Sequence, residues 1–135
     1  MFGLFSMMFL SCDTKGLTKE QSTKFTYKKA LLLAKKENKI ILLKITSKGC
    51  HFCKKMDEEV LKNKEVLAIL DKNFILVEID VNKDILPLEL EYKVTPTFFF
   101  ISDEEKIISK IPGSWNKNDF IDLLEMALKR NGEER

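Results

Sequence analysis

The sequence predicts an α/β domain in which a mixed β-sheet is flanked by helices. Three observations carry that reading. Segments with helical apolar spacing alternate with short, strongly apolar runs of strand length. Two such runs in the first half are separated by a helical crossover, the requirement for parallel pairing. Two more in the second half are separated by the acidic turn "DEE" (103–105), which predicts an antiparallel hairpin at a sheet edge.

The elements follow in order. Over 25–38, Tyr27, Ala30, Leu31 and Ala34 recur at helical spacing. "KIILLKIT" (39–46) is an apolar, β-branched run and predicts a strand. A turn at Gly49 and a C-x-x-C pair come next, then "KKMDEEVLK" (54–62) as helix, with Asn63 ending it before a second short helix in "KEVLAILDK" (64–72). "FILVEIDV" (74–81) is a buried strand, and "ILPLELEY" (85–92) is helix or irregular structure around Pro87. "TPTFFFIS" (95–102) and "KIISKI" (106–111) form the hairpin. "NKNDFIDLLEMALKR" (116–130) closes as an amphipathic helix, with Asn116 as N-cap, Asp119 three residues on, and Phe120, Leu124, Ala127 and Leu128 on one face.

At 135 residues, 44% hydrophobic and 33% charged, the chain has the balance of one soluble globular domain. Its net charge of +2, from 23 basic and 21 acidic side chains, is too small and too evenly spread for nucleic-acid binding. The beginning is different. "MFGLFSMMFLSC" is an uncharged apolar run, too short to span a bilayer but suited to the hydrophobic region of a secretory signal. Its ending, "FLSC", resembles the lipobox of bacterial lipoproteins, although Phe9 stands where Leu is usual and no Lys or Arg precedes the run. That resemblance implies a signal peptide over 1–11, a lipidated Cys12, and anchoring to a membrane. The polar stretch 13–24, apolar only at Leu17, then reads with Cys12 as a tether over 12–24 that carries a folded domain over 25–135. Extended, a dozen residues reach roughly 40 Å.

With Cys12 acylated, Cys50 and Cys53 are left as an even pair, which suits an oxidising, exported compartment. The loop they close is too short for much structural stapling, because the entropic gain of a disulfide grows with loop length. A redox role fits better. Zinc would need about four ligands, and the domain offers Cys50, Cys53 and His51, with no second cluster. A Cu(I) site needs only two soft thiolates, with Met56 as a further donor, so a copper-handling module is the rival from another class.

Cys50-His51-Phe52-Cys53 after a strand, "VEIDVNKD" (77–84), "YKVTPTFFF" (92–100) and "IPGSW" (111–115) together resemble the thioredoxin-fold superfamily. The resemblance spans about residues 25 to 130 and is nearest to small exported thioredoxin-like proteins. It implies a three-layer sandwich with a mixed central sheet. It also implies a thiol-disulfide oxidoreductase that uses no cofactor or metal beyond its own redox-active disulfide. Cys50, at a strand end and helix start where N–H groups and the helix dipole favour negative sulfur, is expected to be the nucleophile. Cys53, on the same helical face, is expected to be the resolving thiol. Pro96 is expected to be a cis-proline facing the disulfide, with Thr95 lining the substrate groove. Trp115, Phe98 and Phe99 are expected in the core or at the rim.

His51, as an imidazolium, would stabilise the thiolate and make the disulfide more oxidising; the alternative is a solvent-facing side chain of little consequence. Two departures from the superfamily pattern stand out. Gly49 replaces the Trp usual before the pair, which puts the usual substrate surface in doubt. Lys44 occupies the position, six residues before the nucleophile, where thioredoxins carry a buried acid that assists proton transfer to the resolving cysteine. Either Lys44 lies under the active site and favours thiolate, or the strand turns it to solvent; with Leu43 and Ile45 both apolar, the pattern does not decide.

The expected partners are thiols and disulfides of exported proteins and a membrane electron donor for re-reduction, with the protein itself monomeric. The expected location is extracytoplasmic, in the periplasm. Asp13 after the lipidated cysteine implies retention at the inner membrane of a Gram-negative host. An exported compartment and a membrane-held, one-domain architecture argue for a reductase, whereas the positive neighbours of Cys50 argue for an oxidase or isomerase.

Overall fold

A computed structural model describes residues 26–135. The expected signal peptide, tether and lipidated Cys12 lie outside the described residues.

Helix α1 (Tyr27–Glu37) starts where the Thr26 side chain accepts from the Lys29 N–H and ends at Asn38, whose left-handed backbone (φ 57°) closes the last turn. Strand β1 (Ile40–Thr46) follows, then α2 (His51–Met56), which widens without a break into a π-helical turn over Asp57–Leu61. Asn63 caps α3 (Lys64–Asn73) by accepting from Glu65 and Val66 N–H groups. Next come β2 (Phe74–Asp80), a single 3-10 turn at Pro87–Glu89, β3 (Thr97–Ile101), β4 (Ile107–Pro112) and α4 (Lys117–Glu133).

The expected order of elements is present. The stretch 85–92, left open between helix and irregular structure, is irregular apart from the 3-10 turn. Leu88 and Glu89 both adopt positive φ there, a conformation foreign to a right-handed helix of L-residues. The π turn has no counterpart in the helical periodicity of the sequence. α4 runs three residues beyond the expected end, to Glu133.

The four strands lie in the order β2-β1-β3-β4, with β1 parallel to β2, and β3 antiparallel to both β1 and β4. Helix α1 covers one face, where Ala30 and Ala34 meet Ile41, Leu43 and Ile45. Helices α2, α3 and α4 cover the other, where Met56, Val66, Phe120 and Leu124 meet Ile40, Leu42 and Phe98. β1 is therefore buried on both sides, which is why its sequence is almost continuously apolar. Its one charged residue, Lys44, shares the parity of Ile40 and Leu42 and so points toward the α2–α4 layer. The parallel β1–β2 pair brings Thr46 opposite Asp80, and both strand ends open toward the loop that leads into α2.

Candidate active site

The loop Ser47–Gly49 carries the chain from β1 into α2. Gly49 sits at φ 71°, a conformation that L side chains rarely adopt, and an added Cβ would meet nothing within 4 Å. Gly49 is thus needed for its backbone and not for room. The turn is pinned on both sides: the Cys50 N–H donates to the Ser47 carbonyl (3.3 Å), and the Lys48 N–H donates to Asn82 Oδ1 (2.7 Å), in the loop after β2.

Cys50 is consequently the N-cap of α2, with its sulfur accepting from the Cys53 N–H at 3.1 Å. The two cysteines are joined in a disulfide with a Cα–Cα separation of 5.3 Å. Cys50 is partly exposed, and Cys53, at 3% exposure, lies beneath it. His51 and Phe52 are exposed and pack edge to face, their ring centres 5.8 Å apart, so the histidine faces solvent and Phe52. Phe52, 59% exposed, leaves an apolar rim beside the pair.

The segment before β3 closes the site from the other side. The Thr95–Pro96 peptide is cis, the geometry that the resemblance implies. Thr95 Oγ1 lies 3.3 Å from Cys50 Sγ, and the Thr95 carbonyl oxygen lies 3.4 Å from the same sulfur. Ser47 Oγ lies 2.8 Å from Thr95 Oγ1. The Pro96 carbonyl accepts from the Gly113 N–H (2.8 Å), where Gly113, at φ 90°, turns the chain out of β4. The "IPGSW" segment thereby braces the proline. Thr97 Oγ1 donates to the Val94 carbonyl at 2.6 Å, fixing the other flank.

The charge whose direction the sequence left undecided points into the fold. Lys44 is fully buried, and its Nζ contacts Asp57 Oδ1 at 2.5 Å and Glu78 Oε2 at 3.5 Å. A buried ammonium is tolerable only when paired, and two carboxylates supply the pairing. The strand therefore does not turn Lys44 to solvent. Asp57, four residues after Cys53 and on the same side of the helix, borders an open hollow with Thr46, Ser47, Gly49, Cys50 and Cys53. The acid that shares this hollow with the resolving cysteine thus opens the π-helical turn just after α2, while the strand position holds its cationic partner. Asp57 and Ser47 are the two site residues that sequence reasoning missed. The available signals were the four-residue spacing from Cys53 and the hydroxyl three residues before Cys50.

Other expected residues fall elsewhere. Phe98 and Phe99 are buried on opposite faces of the sheet, and Trp115 packs against the α2–α4 core. Met56 is fully buried in that same core. Among the described residues no group of three or more His, Cys, Asp or Glu is placed to hold a metal ion.

A helix-capping, partly exposed sulfur, a shielded second sulfur and a facing cis-proline on a mixed four-stranded sheet define a class: the thioredoxin-like thiol-disulfide oxidoreductases. The chain belongs to the thioredoxin-like domain family, whose model matches residues 27–128. Among solved structures, a thioredoxin from Thermus thermophilus is similar with a TM-score of 0.69 at 23% identity, covering 77% of this chain and 85% of that one. The periplasmic thioredoxin SoxS from Paracoccus pantotrophus is similar with a TM-score of 0.57 at 18% identity, covering 69% and 99%. In sequence, 47 residues are 47% identical to spermatogenesis-associated protein 20 of Mus musculus, a match that covers 35% of this chain and 6% of that protein.

Proposed function

We propose that this protein is an exported, membrane-anchored thiol-disulfide oxidoreductase that reduces disulfides in exported proteins. The observation that carries the chemistry is the asymmetry of the pair: one sulfur at the surface against the Thr95–Pro96 segment, the other buried behind it. In the reduced protein, the Cys50 thiolate attacks a substrate disulfide, forming a mixed disulfide and releasing one substrate thiolate, which takes a proton from solvent. Cys53 then gives up its proton and attacks Cys50 Sγ, which closes the Cys50–Cys53 disulfide and releases the second substrate thiol. Two electrons pass to the substrate. A membrane electron donor restores the dithiol.

Asp57 is the carboxylate positioned to take the Cys53 proton, because it borders the same hollow one helical turn away. Lys44 holds that carboxylate in place. Thr95 and Pro96 form the wall against which an extended substrate segment lies, with Phe52 supplying apolar contact beside it.

The apolar run that ends in Cys12 supports export and lipid attachment, with the domain held in the periplasm at the inner membrane. The reductive direction rests on that location, since a compartment that already favours oxidation has use for a reductant. The test is the redox state of Cys50 and Cys53 in cells, trapped by acid quench and mass-tag alkylation. A mostly reduced pair is expected. A fully oxidised pair would reverse the direction in favour of a disulfide donor, the reading that His51 and the lysines beside the pair favour.

A further inference from the structure

The hydroxyl of Ser47 has no part in the reaction as written above, yet it is held against the group that faces the nucleophile. Its backbone is fixed by the Cys50 N–H on its own carbonyl and by the bond from Lys48 N–H to Asn82. From there its Oγ reaches Thr95 Oγ1 at 2.8 Å, and Thr95 Oγ1 reaches Cys50 Sγ at 3.3 Å. A hydroxyl has one proton to donate. A thiolate is a far stronger acceptor than a disulfide sulfur or a thiol, so once Cys50 ionises the Thr95 proton goes to the sulfur. Thr95 Oγ1 is then left only with lone pairs toward Ser47, and Ser47 must be the donor across the 2.8 Å contact.

Resting on the exchange reaction proposed above, we infer that Ser47 and Thr95 form a directed hydroxyl relay that stabilises the Cys50 thiolate. Thr95 is the group that touches the reacting sulfur. Ser47 is a positioning residue that fixes the direction of the Thr95 O–H and polarises it. Hydrogen bonds to the charged form of an acid favour ionisation, and a second bond in series strengthens the first. The charged groups around the sulfur are Lys48 in the turn, His51 and Lys54 on α2, and Asp57 just after it, with Lys44 paired to Asp57 and Glu78. None of them is altered by changes at Ser47 or Thr95, so the relay can be measured against a constant field.

The test is the pH profile of Cys50 alkylation in the reduced full chain, with the modified site located by mass spectrometry. Thr95→Val is expected to raise the midpoint by about one pH unit, the lower end of what a hydrogen bond to a charged group contributes. Ser47→Ala is expected to raise it by about 0.3 unit, the share of a cooperative neighbour. Ser47→Thr, which keeps the hydroxyl, should restore the wild-type midpoint. Should Ser47→Ala fail to fold, Ser47→Thr and Ser47→Val, alike in shape and different in the hydroxyl, make the same comparison. A Ser47→Ala or Ser47→Val midpoint equal to wild type would show that Thr95 acts alone and would overturn the relay. An unshifted Thr95→Val would overturn it as well. Disulfide exchange with glutathione is measured on the same samples. Loss of exchange in the wild-type protein strikes at the proposed function, whereas the midpoints judge the relay by themselves.

Discussion

Cys50 and Cys53 differ in burial by more than their spacing implies, and each side chain near them can be tested for what it does. Asp57→Asn removes the carboxylate proposed to take the Cys53 proton and keeps its shape. The expected result is a slower second step, with mixed disulfide accumulating in quenched reactions and the rate of resolution rising more steeply with pH, because hydroxide must replace the carboxylate. An unchanged rate of resolution would remove Asp57 from the mechanism. Lys44→Met leaves Asp57 without its buried partner. It is expected to cost about 2–3 kcal/mol, less than the removal of one partner from a fully buried pair, because the Asp57 side chain is 37% exposed. The readout is a lower urea midpoint with an unchanged denaturant slope. Tyr27 gives a second handle on pH. Burial first, then the hydrogen bond to Glu105 and its charge, push the Tyr27 phenol well above the usual phenol range. The fold favours the neutral phenol, so this contribution is whole below the ordinary phenol pKa, about 10, and is lost as pH rises above it. An ultraviolet titration should show one of the two tyrosines ionising late, and Tyr27→Phe should abolish that late step.

At the scale of elements, the strand–turn–helix unit positions the nucleophile, and its weak point is the turn. Gly49→Ala places a Cβ on a residue at φ 71°, at an expected cost of about 1–2 kcal/mol for forcing an L-residue into the left-handed region. Since nothing lies within 4 Å of the added carbon, the loss is conformational, and Gly49→Asn should lose less. This unit was legible in the sequence because each part has a local signal: an apolar run, a glycine, the cysteines, a helical pattern. The hairpin and α4, with its Asn116 cap, were legible for the same reason. The orientation of Lys44 was not. A strand buried on both faces is apolar at nearly every position, so the period of two that normally assigns a side chain to a face is erased around Lys44 from 40 to 45. Ser47 and Asp57 escaped because their roles depend on contacts with Thr95 and Lys44, 48 and 13 residues away along the chain. The π turn escaped because helical periodicity cannot distinguish a widened turn from a regular one.

For the molecule as a whole, two cores on either side of one sheet hold the site at the ends of β1 and β2, and the lipid reading of Cys12 would tether that site near a membrane. Cys12→Ser should move the protein from the membrane to the soluble fraction of cells without altering exchange by the purified domain; wild-type protein found soluble with residues 1–11 attached would remove the anchor. The central claim is that substrates pass through a covalent bond to Cys50 and are released by Cys53. Its most direct test is to express Cys53→Ser in cells, quench with acid and separate the products without reductant. Mixed disulfides with exported proteins should accumulate, attached through Cys50, and should vanish in the Cys50→Ser/Cys53→Ser double variant. Adducts that persist without Cys50, or none from Cys53→Ser while the wild-type protein still reduces disulfides, would contradict it.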